Sequence, residues 1–217
     1  RPLSPRGGGA PPPGAPPPVL GLTGGIGAGK SEALAAFREC GAATLSSDAV
    51  VHALYGDPEV RDAVVARFGA GVLDRHGAVD RALLGPLLFG DRDGLEYVES
   101  LLFPRIAGER RRWIAEQRRR EPPPPVLVCE VPLLFEAGLS DVFDAVVVVT
   151  ASERSRRERV EARGQDFDAR SAQQLPEADK VARADHVYVN DGTREELRAW
   201  IADRCREYAG GGSHERT

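Results

Sequence analysis

Val19-Leu-Gly-Leu-Thr23 is a short apolar run that follows proline. Proline is tolerated just ahead of a strand, and an unbroken apolar run of this length predicts a strand buried on both faces. Gly24 to Gly29 reads as a turn. From Lys30 the apolar positions shift to helical spacing, with Ala33, Leu34 and Phe37 on one face and a stop near Gly41. A second short strand is predicted over residues 42–45. Val126-Leu-Val-Cys129 and Ala145-Val-Val-Val-Val-Thr150 have the continuous apolar character of central parallel strands, and Val187-Tyr-Val189 predicts a last short one.

Helical patterns fill the intervals. One runs over residues 46–55, with Ser46 or Ser47 as its cap. Asp57-Pro58 announces another that ends near Phe68, and two more cover residues 80–89 and 93–120. Residues 153–163 form an arginine-rich helical stretch, and residues 164–174 read as a mobile segment. Thr193-Arg-Glu-Glu196 is a capping box that opens a final amphipathic helix through Leu197, Trp200, Ile201 and Tyr208. Strands that alternate with helices predict an α/β fold, a three-layer arrangement with a parallel sheet and helices on both faces. The helical block over residues 56–121 is too long for a crossover connection, so it predicts an inserted substrate subdomain. Residues 1–18, RPLSPRGGGAPPPGAPPP, cannot bury apolar surface and are expected to be disordered, as are residues 210–217. The folded domain is expected over residues 19–209.

Composition narrows the function classes. With 29 basic and 33 acidic residues the net charge is -4, which argues against a strongly basic nucleic-acid-binding protein. A weakly acidic protein that binds anions must concentrate positive charge locally. Lys30 and Lys180 are the only lysines, so a lysine inside a glycine-rich loop stands out. Cys40, Cys129 and Cys205 are far apart and lack metal-site spacing, so buried free thiols in a reducing cytoplasm are expected. No run approaches the ~20 apolar residues of a membrane span.

Gly24-Gly-Ile-Gly-Ala-Gly29-Lys30-Ser31 fits G-x-x-x-x-G-K-[ST], between a predicted strand and a predicted helix. Glycines let successive N–H groups converge on one anion, and the helix N-terminus adds a favourable dipole. Lys30 supplies a point charge for the β- and γ-phosphates, and Ser31 can ligate Mg²⁺. The guanine-reading N-K-x-D pattern is missing. Asp74-Arg-His-Gly77 matches D-x-x-G, but it follows a helix and a loop, so it reads as a chance match. The layout suits a small-molecule kinase. Asp48 follows the second strand, where it can orient an acceptor hydroxyl and take its proton, or simply cap a helix.

The chain closely resembles the dephospho-coenzyme A kinase family. Leu22-Thr-Gly-Gly-Ile-Gly-Ala-Gly-Lys-Ser31 stands where that family has LTGGIGSGKS, and Ser46-Ser-Asp48 stands at its D-A-D. Phe68-Gly-Ala-Gly-Val-Leu-Asp-Arg-His-Gly-Ala-Val-Asp-Arg81, Val131-Pro-Leu-Leu-Phe-Glu136, and Arg170-Ser-Ala-Gln-Gln-Leu-Pro176 follow in the family's order, with Lys180, Arg183-Ala-Asp185 and Asn190-Asp-Gly192. The likeness spans about residues 19–209. Departures are Ser46 for an acid, Glu32 for the frequent threonine, His52 for an arginine and Phe103 for a histidine.

The resemblance implies a P-loop NTPase fold like that of adenylate kinase, with a helical coenzyme A-binding insert and a lid over about residues 159–175. It implies transfer of the γ-phosphoryl of ATP, with Mg²⁺, to the ribose 3′-hydroxyl of dephospho-coenzyme A. Gly24, Gly25, Ile26, Gly27, Ala28, Gly29, Lys30, Ser31, Glu32, Asn190 and Gly192 would hold ATP. Lys30, Asp48, Arg159 and Arg163 would serve catalysis. Asp48, Arg81, Pro132, Leu133 and Glu136 would border the acceptor, and Ser31 would hold the metal. Nucleic acid, membrane or an obligate protein partner is not implied. The rival readings are another small-molecule or nucleoside monophosphate kinase, and a nucleotide-dependent interaction protein without catalysis.

Overall fold

The computed structural model describes residues 15–209. The expectations for residues 1–14 and 210–217 lie outside them. The ordered chain reaches slightly ahead of Val19: Pro17 is buried, and the Pro18 carbonyl accepts the Leu127 N–H at 2.9 Å. The chain divides into two compact units, residues 46–113 and the remainder.

The larger unit is built on strands β1 (Val19–Thr23), β2 (Ala43–Ser46), β3 (Leu127–Glu130), β4 (Ala145–Thr150) and β5 (His186–Val189) in the order β2-β3-β1-β4-β5. β1 pairs in parallel with β3 and β4, and β4 in parallel with β5. Every residue of β1 and β3 is buried, as expected for strands covered on both faces. Leu20, Leu22, Val128, Val147 and Val149 face helix α1 (Lys30–Glu39) and helix α9 (Arg194–Tyr208), through Phe37, Leu197 and Ile201. The opposite face of β1 carries Gly21. A Cβ there would come 2.6 Å from Leu134 Cδ1 and 2.7 Å from Phe143, so glycine admits these two side chains to the sheet.

The smaller unit contains helices α2 (Ser47–Tyr55), α3 (Pro58–Phe68), α4 (Arg81–Leu88) and most of α5 (Arg92–Arg118). Asp57 caps α3 through the Glu59 and Val60 amides, ahead of Pro58, and Asp80 caps α4 through the Ala82 amide. Val60, Val64, Val72, Leu84, Val98 and Leu102 give the unit its own apolar core. α2, expected outside the inserted block, groups with it, because Leu54 and Tyr55 are buried in that core.

Helices α6 (Glu153–Glu161), α7 (Phe167–Ser171) and α8 (Glu177–Ala182) precede β5. The stretch read as mobile thus contains a short helix, capped by Asp166 through the Ala169 amide. Phe167 is buried, with the Arg157 guanidinium 4.5 Å and that of Arg156 5.3 Å from its ring. Arg157 also grips Asp168 with two hydrogen bonds of 2.8 and 2.7 Å, which hold that carboxyl below the usual carboxylate range. Among the described residues no helix is long and apolar enough to cross a membrane.

Candidate active site

The phosphate loop leaves β1 and ends at Gly29, the N-cap of α1. Geometry demands glycine at Gly27 and Gly29, among others in the loop. Gly27 has φ 77° and lies so close to α6 that a Cβ would come 2.4 Å from the Arg156 carbonyl oxygen. Gly29 has φ 102°, and a Cβ would come 2.2 Å from Asn190 Nδ2. Any side chain at either position would be both strained and obstructed.

The loop is held from outside. Asn190, buried just after β5, donates from Nδ2 to the Ala28 carbonyl at 2.9 Å. Arg159 donates to the Gly27 carbonyl at 3.3 Å and to the Asn190 carbonyl at 2.8 Å. Gln174 Oε1 accepts the Ile26 N–H at 2.9 Å. Lys30 Nζ donates to the Gly24 and Gly25 carbonyls at 2.9 and 3.0 Å. The Lys30 ammonium and the N-terminus of α1 thus meet at this loop, an arrangement suited to neutralising phosphate.

Other expected site residues have plainer partners. Glu32 pairs with Arg194 at 2.6 Å and so ties α1 to α9. Glu136 Oε1 accepts the Leu175 N–H at 2.8 Å and lies 3.3 Å from the Lys180 ammonium. The Pro132 carbonyl accepts the Thr23 hydroxyl at 3.3 Å, and Leu133 is exposed. Arg163 is exposed just beyond α6, and Gly192 leads into the capping box of α9. Its neighbour Asp191 accepts hydrogen bonds from Ser155 and Ser152, which lower its pKa. Asp74, of the D-x-x-G match, accepts the Ala78 and His76 amides and forms an ordinary turn.

In the smaller unit, Asp48 lies in the first turn of α2, whose N-cap is Ser46, so Asp48 is not the cap. Its carboxylate stands 3.8 Å from the Arg81 guanidinium, with both side chains more than half exposed. The charge of Arg81 also reaches Tyr55, whose phenol is pushed up by burial.

Mg²⁺ is the metal such a loop implies. No group of three or more His, Cys, Asp or Glu able to hold an ion occurs among the described residues. Mg²⁺ at a nucleotide needs only one or two protein oxygens, because phosphates and water complete its shell. Ser31, exposed in the first turn of α1, and Glu130, which pairs with Leu22 near the start of the loop, are oxygen donors of the right kind. The residues present therefore fit the ion.

Sequence reasoning gave no individual site role to Arg156, Gln174 or Glu177. Arg156 is buried, donates to the Ala151 carbonyl at 3.2 Å and lies 3.8 Å from Glu177. Glu177 accepts the Thr150 hydroxyl and sits against Gly25. Nothing local marks these residues, since each reads as a solvated charge or amide in an arginine-rich stretch.

A loop that curls around Lys30, held by α6 and the end of β5, is built to hold and neutralise a polyphosphate, and the chain is a P-loop phosphotransferase. Comparison with known proteins narrows the class. A family profile described as dephospho-CoA kinase matches residues 18–196. A dephospho-CoA kinase of Anaeromyxobacter dehalogenans is 40% identical over 204 residues, 91% of this chain and 95% of that protein. One of Rhodopseudomonas palustris is 38% identical over 189 residues, 85% of this chain and 92% of that protein. A crystal structure of a Thermus thermophilus protein superposes with a TM-score of 0.73 at 34% identity, covering 87% of this chain and 97% of that one. The dephospho-CoA kinase of Campylobacter jejuni shares the fold, with a TM-score of 0.61 at 19% identity and coverage of 89% and 98%. The chain belongs to the dephospho-CoA kinase family.

Proposed function

We propose that the chain passes the γ-phosphoryl of ATP to the ribose 3′-hydroxyl of dephospho-coenzyme A, giving coenzyme A and ADP. The hydroxyl oxygen attacks the γ-phosphorus, the bond to the β-phosphate oxygen breaks, and the hydroxyl proton passes to Asp48. The observation that carries this reading is the Asp48 carboxylate, solvent-open, 3.8 Å from Arg81 and not used as a helix cap. A carboxylate so placed can orient a hydroxyl and accept its proton, and the arginine suits the acceptor's phosphates.

On the nucleotide side, Lys30 draws charge from the β- and γ-phosphates, and the loop amides complete the site. Arg159 and Arg163 are assigned to the phosphates, Asn190 and Gly192 to the nucleotide side, and Pro132 and Leu133 to the acceptor. Ser31 and Glu130 would hold Mg²⁺, which would neutralise charge on the phosphates. The core is of the adenylate kinase kind, residues 159–175 serve as its lid, and the helical block binds the coenzyme A moiety. Cys40, Cys129 and Cys205 form no disulfide, which suits a reducing cytoplasm.

The test is ATP consumption with dephospho-coenzyme A, with nucleoside monophosphates, and with neither. Turnover should require dephospho-coenzyme A, and Lys30→Ala should lower it by at least ~10²-fold. Turnover on a nucleoside monophosphate instead would reassign the acceptor, and full turnover by Lys30→Ala would reject the loop's role.

A further inference from the structure

Lys180 is fully buried, and its ammonium lies 3.3 Å from Glu136 Oε1. A charge in that position needs a counter-charge, because removal from water disfavours it strongly. Nothing in nucleotide binding as described requires this pair. Its surroundings suggest a purpose. The same Glu136 oxygen accepts the Leu175 N–H at 2.8 Å. The preceding residue, Gln174, accepts the Ile26 N–H of the phosphate loop at 2.9 Å. Two consecutive residues are thus fastened to different partners, one to the buried pair and one to the loop.

We propose that the Lys180–Glu136 pair positions the phosphate loop, acting through Leu175 and Gln174 on the Ile26 amide. Lys180 holds the Glu136 carboxylate still. Glu136 fixes the backbone at Leu175. That sets Gln174, an uncharged acceptor, against a loop whose amides must keep one curvature to receive phosphate. A loop whose shape is fixed beforehand does not have to be ordered at the nucleotide's expense. Lys180, Glu136 and Gln174 are therefore positioning residues rather than catalytic ones. The inference rests on the nucleotide half of the function proposed above, but not on the identity of the acceptor.

The test uses equilibrium binding of ADP to the full chain, with thermal melting in parallel. Gln174→Ala should weaken ADP binding about tenfold, the scale of one lost hydrogen bond, with little change in melting temperature. Removing one member of the buried pair would strand the other and endanger folding, so both are replaced. Glu136→Leu with Lys180→Met removes both charges and the Leu175 acceptor while keeping the volume filled. It should weaken ADP binding by a similar factor, and adding Gln174→Ala should weaken it little further, because the three residues act in series. Glu136→Gln with Lys180→Met restores an acceptor for Leu175 and should recover most of the affinity.

Unchanged ADP affinity in Glu136→Leu/Lys180→Met, or losses that multiply in the triple variant, would overturn the proposal. Failure of Glu136→Gln/Lys180→Met to recover would overturn the route through Leu175. Wild-type protein that binds ADP but transfers nothing to dephospho-coenzyme A would sink the acceptor assignment and leave this test intact.

Discussion

At the scale of single residues, Asp48 separates structure from chemistry most cleanly. Its pairing with Arg81 at 3.8 Å is largely solvent-exposed, and such pairs contribute only about 0–1 kcal/mol to stability. Its place in the first turn of α2 adds a modest dipole effect. Asp48→Asn should therefore leave the melting temperature almost unchanged. Turnover should fall at least ~10²-fold, the lower end of general-base contributions, with nucleotide affinity little altered. Titrating Mg²⁺ in the variant distinguishes two origins of the loss. Recovery at high Mg²⁺ would point to a metal role, and persistent loss to service of the acceptor hydroxyl. Near-normal turnover at ordinary Mg²⁺ would reject both.

At the scale of elements, β5 and α9 meet through His186 and Tyr208. The His186 Nε2 and the Tyr208 hydroxyl are 2.6 Å apart, and Arg204 Nη1 lies 3.5 Å from His186 Nδ1. Arginine only donates, so Nδ1 accepts and Nε2–H donates to the phenol oxygen, which describes a neutral imidazole. Burial lowers the His186 pKa below its ordinary 6.5, against the opposing pull of Glu207, and Arg204 lowers it further. Burial likewise pushes Tyr208 up to about 12, so the phenol keeps its proton. The unfolded chain therefore binds a proton at His186 more readily than the folded one. The stability this neutral histidine allows is fully present above pH 6.5 and is lost as pH falls from there toward the lowered folded value. Melting followed from pH 8 to 5 should show a steeper acid decline in the wild type than in His186→Gln. Parallel curves would rule out this linkage.

At the scale of the whole molecule, residues 159–175 are the segment proposed above as a lid. Their ties are few and polar: Arg159 to the Gly27 carbonyl and Gln174 to the Ile26 amide at the loop, with Leu175 held by Glu136. Between them, α7 rests on Phe167 and the Arg157–Asp168 pair. Between these anchored ends the apolar contacts are few, and stretches of that kind open at low free-energy cost. Hydrogen exchange at these amides should slow when a saturating ATP analogue is bound, while the strands β1 and β4 change little. Equal exchange with and without the analogue would mark the segment as a rigid surface element.

Most elements were legible in the chain because their causes are local. Continuous valine runs describe strands covered on both faces, Asp57-Pro58 and the Thr193–Glu196 box start helices within a few residues, and the phosphate loop is one contiguous motif. Local pattern failed where the partners lie far apart in sequence. Asn190 binds Ala28 across 162 positions and Gln174 binds Ile26 across 148, so neither spacing nor periodicity could reveal that these amides shape the loop. The same is true of Glu136, which reads as part of the acceptor segment but has its carboxylate turned to Leu175 and Lys180. The sequence alone determined which residues could meet phosphate and where helices and strands begin. Only the tertiary structure decided which charged and amide side chains hold that loop in shape, because burial and hydrogen-bond geometry arise when distant segments pack together.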